Sequence, residues 1–105
     1  MNRLFLTVLT TLFLLATSSA FAGDEYNTVP TNDDQYAQCI TYSLKKWEGG
    51  GDKSPISDQT KVEAFCTCMW NETSDEFKGN LAKFSETARG AAINKTCEKY
   101  SNWGD

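Results

Sequence analysis

The spacing of four cysteines constrains this chain more than any other feature. Cys66 and Cys68 are separated by one threonine near the middle of the chain, while Cys39 and Cys97 lie far to either side. Two residues along an α-helix are about 200° apart around its axis, so the thiols of Cys66 and Cys68 would point in nearly opposite directions. Of the three possible pairings, we reject the one that joins Cys66 to Cys68. The other two remain open.

The first 22 residues have the order of regions found in a cleaved secretory signal. Arg3 supplies a positive charge, an apolar run follows from Leu4 to Ala16, and Ala20 and Ala22 have the small-x-small spacing of a cleavage site. The apolar run is shorter than the ~20 residues that a membrane-spanning helix needs. We therefore expect cleavage after Ala22, a periplasmic or secreted protein, and no membrane insertion of the remaining chain.

Residues 23–105 are expected to form one small domain that needs covalent support. Domains near or below roughly 70–80 residues bury a marginal core and usually rely on disulfides or metals. An even number of cysteines in an exported chain predicts two disulfides through Cys39, Cys66, Cys68 and Cys97. Each bridge would close a loop of nearly thirty residues or more and stabilise the fold by roughly 3 kcal/mol.

Hydrophobic periodicity predicts an all-α fold, a small bundle of three to four short helices stapled by two disulfides. Residues 23–32 read as a flexible N-terminal arm, 33–101 as the helical domain and 102–105 as a short tail. The first helix should span 33–48, with its apolar face at Tyr36, Ile40, Ser43, Leu44 and Trp47, and end at a run of three glycines.

The second helix should begin at Ser57 or Asp58, and its buried stripe should comprise Val62, Phe65, Cys66 and Met69. Thr73 and Glu76 have the spacing of a capping box, which predicts a third helix carrying Phe77, Leu81 and Phe84. Ser85 is the expected cap of a fourth helix, unless the last two helices form one bent helix. The residues of that helix predicted to face inward are Ala88, Ala92, Ile93, Thr96, Cys97 and Tyr100.

Residue types exclude several functions. The chain has no histidine, which removes the usual general base and the common catalytic triads, so we expect no catalytic residues and no cofactor. Arg3 is the only charged residue of the signal, so residues 23–105 hold 9 basic and 14 acidic residues, a net charge of −5. This balance argues against nucleic-acid or anionic-lipid binding and is compatible with a basic protein partner.

A redox or metal-handling role for Cys66 and Cys68 is a weaker alternative. A reactive thiol usually lies near a helix N-terminus or a cation, whereas this pair falls within a predicted helix beside Glu63 and Glu72. Zinc sites usually have two close pairs of ligands, and this chain has one close pair and no histidine. We therefore expect structural disulfides and no metal site.

Two aromatic residues are candidates for partner contacts. Tyr42 lies off the predicted face of the first helix and Trp103 lies in the tail, and exposed aromatics are enriched at interfaces. Packing in the core is the common alternative for both. The sequence thus favours a non-catalytic exported binding protein, such as an inhibitor or immunity protein that neutralises an envelope-directed enzyme or toxin. An accessory subunit of an envelope complex is the alternative, and the oligomeric state is left open.

Overall fold

A computed structural model of the chain describes residues 26–104. The predicted signal (1–22), the first residues of the predicted arm (23–25) and Asp105 lie outside the described residues. Four helices follow in order: α1 Asp34–Lys46, α2 Lys61–Glu72, α3 Leu81–Ser85 and α4 Ala91–Ser101. The part of the chain that the structure describes contains no strand beyond one isolated bridge between Lys53 and Thr60. The predicted all-α bundle is confirmed.

Helix α2 is the centre of the bundle. It packs against α1, α3 and α4, and every residue from Ala64 to Met69 is buried. One disulfide joins Cys39 of α1 to Cys66, and the other joins Cys68 to Cys97 of α4. Cys66 and Cys68 therefore bond to cysteines on opposite sides of α2. Of the two pairings that the sequence left open, the structure has the one that joins Cys39 to Cys66.

Helix α1 is shorter than predicted, and its buried face differs. Asp33 caps the helix by accepting a hydrogen bond from the backbone N–H of Tyr36 at 2.8 Å. The helix ends at Lys46 rather than at residue 48, because Trp47 is extended. Ser43 is fully buried, whereas Leu44 is 49% exposed. The disulfide turns Cys39 inward, and Ser43 lies one turn after it on the same face.

The start of α2 corrects the sequence prediction. The helix begins at Lys61, not at Ser57 or Asp58, and its cap is Thr60. The side chain of Thr60 accepts from the N–H of Glu63, while the Glu63 carboxylate accepts from the N–H of Thr60, which makes a capping box. Asp58 has a positive φ of 66° and belongs to a turn instead.

The prediction of a capping box at Thr73 and Glu76 is also wrong. Thr73 ends α2, with its N–H donating to the carbonyl of Met69 at 3.1 Å. Asn80 caps α3, so Phe77 precedes that helix and packs its ring on Phe84 with 4.6 Å between centroids. Helix α4 is separate and begins at Ala91, well after Ser85. Of the residues predicted to face inward, Ala88, Ala92 and Thr96 are exposed, whereas Cys97 is buried.

The described part of the predicted arm is docked on the bundle. The Tyr26 hydroxyl donates to the Glu72 carboxylate at 2.6 Å, and the Tyr26 ring meets Tyr100 edge-on at 4.7 Å. Asn27 and Asn71 exchange two hydrogen bonds between backbone and side chain, at 2.9 and 3.0 Å. Residues 26 and 27 therefore belong to the folded domain.

Candidate partner-binding groove

Three aromatic rings from three parts of the chain meet at one end of the bundle. Trp47 follows α1, Phe65 lies in α2, and Trp103 follows α4. Their centroids are 5.7 to 6.1 Å apart, and their planes cross at 76° to 90°. Edge-to-face contacts at these distances are favoured by the quadrupoles of aromatic rings. The cluster therefore ties the end of α1 and the tail to α2.

Trp103 is part of the core and not an exposed residue of a tail. It is 9% exposed, and its indole N–H donates to the carbonyl of Glu48 at 2.7 Å. The left-handed conformation of Asn102 reverses the chain after α4 and returns Trp103 to the bundle. A Cβ at Gly50 would lie 3.2 Å from the Trp103 ring, so the missing side chain at Gly50 leaves room for the indole.

A groove of about 410 Å³ lies over this cluster. Trp47 is the accessible ring of the three, because it is half-buried while Phe65 and Trp103 are buried. The groove is lined by the three rings and by Glu48, Ser85, Glu86, Asn94, Glu98 and Gly104. It thus combines an aromatic floor with a polar and acidic rim.

The three carboxylates of the rim are not equivalent. Glu86 is neutralised by Lys46, whose Nζ lies 3.2 Å away, and it also accepts from the Tyr42 hydroxyl at 2.9 Å. The hydrogen bond to Glu86 raises the pKa of Lys46. Glu98 accepts from the amide of Asn94 at 3.0 Å. Among residues 26–104, neither Glu48 nor Glu98 has a lysine or arginine nitrogen within 4.0 Å of its carboxylate.

Tyr42 lies at the edge of this groove. Its ring contacts Trp47 edge-on at 6.2 Å, and the ammonium groups of Lys46 and Lys83 lie 5.8 and 5.6 Å from its centroid. The structure therefore brings both predicted contact residues, Tyr42 and Trp103, to the same end of the bundle, each against Trp47. Sequence reasoning assigned Trp47 to the core and gave Glu48 and Glu98 no role. Glu48 follows Trp47 directly in the sequence, which was the available signal for an acidic and aromatic site. Glu98 lies fifty positions later, so the sequence does not show that it shares the site.

A second depression continues from the groove along α4. Its volume is about 580 Å³, and it shares Glu98, Trp103 and Gly104 with the first. Its remaining lining residues are Lys95, Thr96, Lys99 and Asn102. The charge of the surface thus changes sign across Glu98, from acidic over Trp47 to basic along α4.

Within residues 26–104, the cysteines and the acidic residues form no candidate metal site. All four cysteines are fully buried and bonded in disulfides. Within the described range, no three histidine, cysteine, aspartate or glutamate side chains are grouped to hold a metal ion. No helix in residues 26–104 is long and apolar enough to cross a membrane.

Comparison with known proteins gives no relative of this chain. No protein-family model matches it, and searches of curated proteins and of solved structures found no match.

Proposed function

We propose that this chain is a non-catalytic exported binding protein whose groove over Trp47 receives a segment of a basic protein partner. The observation that carries the proposal is that the accessible indole of Trp47 lines one groove with Glu48 and Glu98, which form no ion pair within the described part of the chain. Aromatic anchors in well-packed pockets dominate the binding energy of many protein interfaces. Complementary charge around such an anchor adds specificity and speeds association.

The scaffold suits a tight complex because its binding surface is built in advance. The rings of Phe65 and Trp103 hold Trp47 from two sides, and the disulfides hold α1 and α4 on α2. A preformed surface reduces the entropy lost when side chains and loops become ordered on binding. A preformed binding surface suits an inhibitor or immunity protein that neutralises an envelope-directed enzyme or toxin.

The expected environment is consistent with this role. Two disulfides indicate an oxidising, extracytoplasmic compartment. The periplasm is our proposal for that compartment, on the strength of the predicted signal at 1–22. Redox use of Cys66 and Cys68 has no support, since both disulfides are fully buried.

Site-specific photo-crosslinking in the native compartment tests the proposal. A photo-reactive amino acid in place of Ala91, an exposed residue one turn before Asn94, should form an adduct with a basic protein. The same amino acid in place of Lys78, which is exposed and does not line the groove, should not form this adduct.

Charge reversal provides the matched control. The double variant Glu48→Lys, Glu98→Lys should lose most of the adduct, with affinity falling about tenfold or more. The variant Asp75→Lys, Glu76→Lys has the same net charge, changes exposed residues outside the groove and should retain the adduct. The proposal is wrong if the two double variants form equal amounts of the adduct, or if the photo-reactive amino acid at position 91 forms no adduct.

A further inference from the structure

We infer that the group received by the groove is one guanidinium or alkylammonium side chain, an arginine or a lysine of the partner, which lies against Trp47 between Glu48 and Glu98. This inference rests on the proposed function and narrows it from a basic protein to one kind of side chain. It follows from the hydrogen-bonding groups of the groove, from the aromatic floor and from the size of the space.

Three side chains of the groove donate hydrogen bonds within the protein, whereas the indole N–H of Trp47 has no acceptor among the described residues. The indole N–H of Trp103 donates to Glu48 O at 2.7 Å, and the Ser85 hydroxyl donates to Ala82 O at 2.6 Å. The Asn94 amide donates to the Glu98 carboxylate at 3.0 Å. Apart from that indole N–H, the side chains of Glu48, Glu86 and Glu98 offer acceptors to a ligand, and a group that only donates complements them. Guanidinium and ammonium groups have five and three donors and no acceptor.

The carboxylates discriminate against other ligands. A neutral apolar group that covered Glu48 and Glu98 would remove water from two charges without replacing its hydrogen bonds, which is costly. An anionic group would add repulsion. A cation supplies both the charge and the donors that the two carboxylates lose on desolvation. Lys46 does not supply this cation to Glu48 and Glu98, because its ammonium group is paired with Glu86 near the Tyr42 ring.

The aromatic floor favours the same class of ligand. The face of an indole attracts cations more strongly than the faces of the other aromatic side chains. Tyr42, Phe65 and Trp103 each contact the Trp47 ring with the two ring planes at 76° to 90°, and these contacts hold the ring in one orientation before binding. A volume of about 410 Å³ is near the lower end for ligand pockets, which suits one long side chain with its adjoining backbone.

Titration with capped amino acids, followed by NMR, tests the inference on the intact oxidised protein. The chain has three tryptophans, and their indole N–H signals separate the groove from the rest of the surface. N-acetylarginine amide and N-acetyllysine amide should shift the signals of Trp47 and Trp103 with a Kd in the millimolar range. The signal of Trp70, which does not line the groove, should not move. N-acetylcitrulline amide, a neutral analogue of the arginine probe, should bind at least about fivefold more weakly.

Conservative variants locate the site without disturbing the core. Glu48→Gln and Glu98→Gln should each weaken binding of the arginine probe about threefold to fivefold, and Glu76→Gln should leave it unchanged. The backbone amide spectrum of each variant checks that the fold is retained. Equal binding of the citrulline and arginine probes would overturn the inference, as would shifts of Trp70 that match those of Trp47.

The two proposals fail in different ways. If neither cationic probe shifts Trp47 while crosslinking from Ala91 still depends on Glu48 and Glu98, the single-side-chain inference is wrong and the proposed function stands. If crosslinking is also insensitive to these two carboxylates, both are wrong.

Discussion

At the scale of single residues, Gly90 packs directly against the backbone of Phe84. A Cβ at Gly90 would overlap the Phe84 carbonyl oxygen and lie 2.8 Å from its carbonyl carbon. Because a backbone group cannot move aside as the end of a side chain can, we predict that Gly90→Ala lowers the free energy of unfolding by about 1–3 kcal/mol. Urea denaturation measures this change.

Gly51 offers a matched control for this substitution. A Cβ at Gly51 would have no neighbour within 4 Å, and its φ is not positive. Gly51→Ala should therefore change the free energy of unfolding by no more than about 0.5 kcal/mol. Equal effects of the two substitutions would contradict the packing described at Gly90.

Single residues also show where sequence reasoning succeeds. The stripe of Val62, Phe65, Cys66 and Met69 was predicted from helical periodicity, and all four are buried. The burial of Trp103 depends on the reversal at Asn102 and on space left by Gly50, half the chain away. Periodicity within one helix contains no information about such contacts.

At the scale of elements, the loop that precedes α2 determines where that helix begins. The N–H groups of Lys61 and Val62 donate to Asp52 O and Gly50 O, at 2.8 and 2.9 Å. These donors of the first helical turn have no partner within the helix, so the returning loop satisfies them. Ser57, Asp58 and Thr60 are all suitable caps by residue type, and the tertiary bonds select Thr60.

The capping box at Thr60 gives a test of this helix start. Thr60→Ala removes the acceptor for the Glu63 N–H and should lower the free energy of unfolding by about 1 kcal/mol, whereas Thr60→Ser keeps that acceptor and should cost less. Thermal and urea denaturation of the two variants measure the difference. Equal stabilities of the two variants would contradict the assigned cap.

At the scale of the whole molecule, the groove exists only because three distant parts of the chain meet. The acidic composition is compatible with a basic partner, and Tyr42 was one of two candidate contact residues. The combination of Trp47, Glu48 and Glu98 was not predictable, because it depends on how α1 and α4 are held against α2. The disulfides hold both helices there, and each should contribute roughly 3 kcal/mol by reducing the entropy of the unfolded chain.

The arrangement of α2 between α1 and α4 is the central claim, and the connectivity of the cysteines tests it most directly. Trypsin cannot separate Cys66 from Cys68, since residues 62–78 contain no lysine or arginine before Lys78. Digestion of the oxidised protein should therefore give one cluster of three disulfide-linked peptides.

Electron-transfer fragmentation of that cluster, with cleavage of the backbone between Cys66 and Cys68, distinguishes the pairings by mass. We predict that the fragment with Cys66 retains the Cys39 peptide, and that the fragment with Cys68 retains the Cys97 peptide. The reverse assignment, or a free thiol at either position, would contradict the fold and with it the groove.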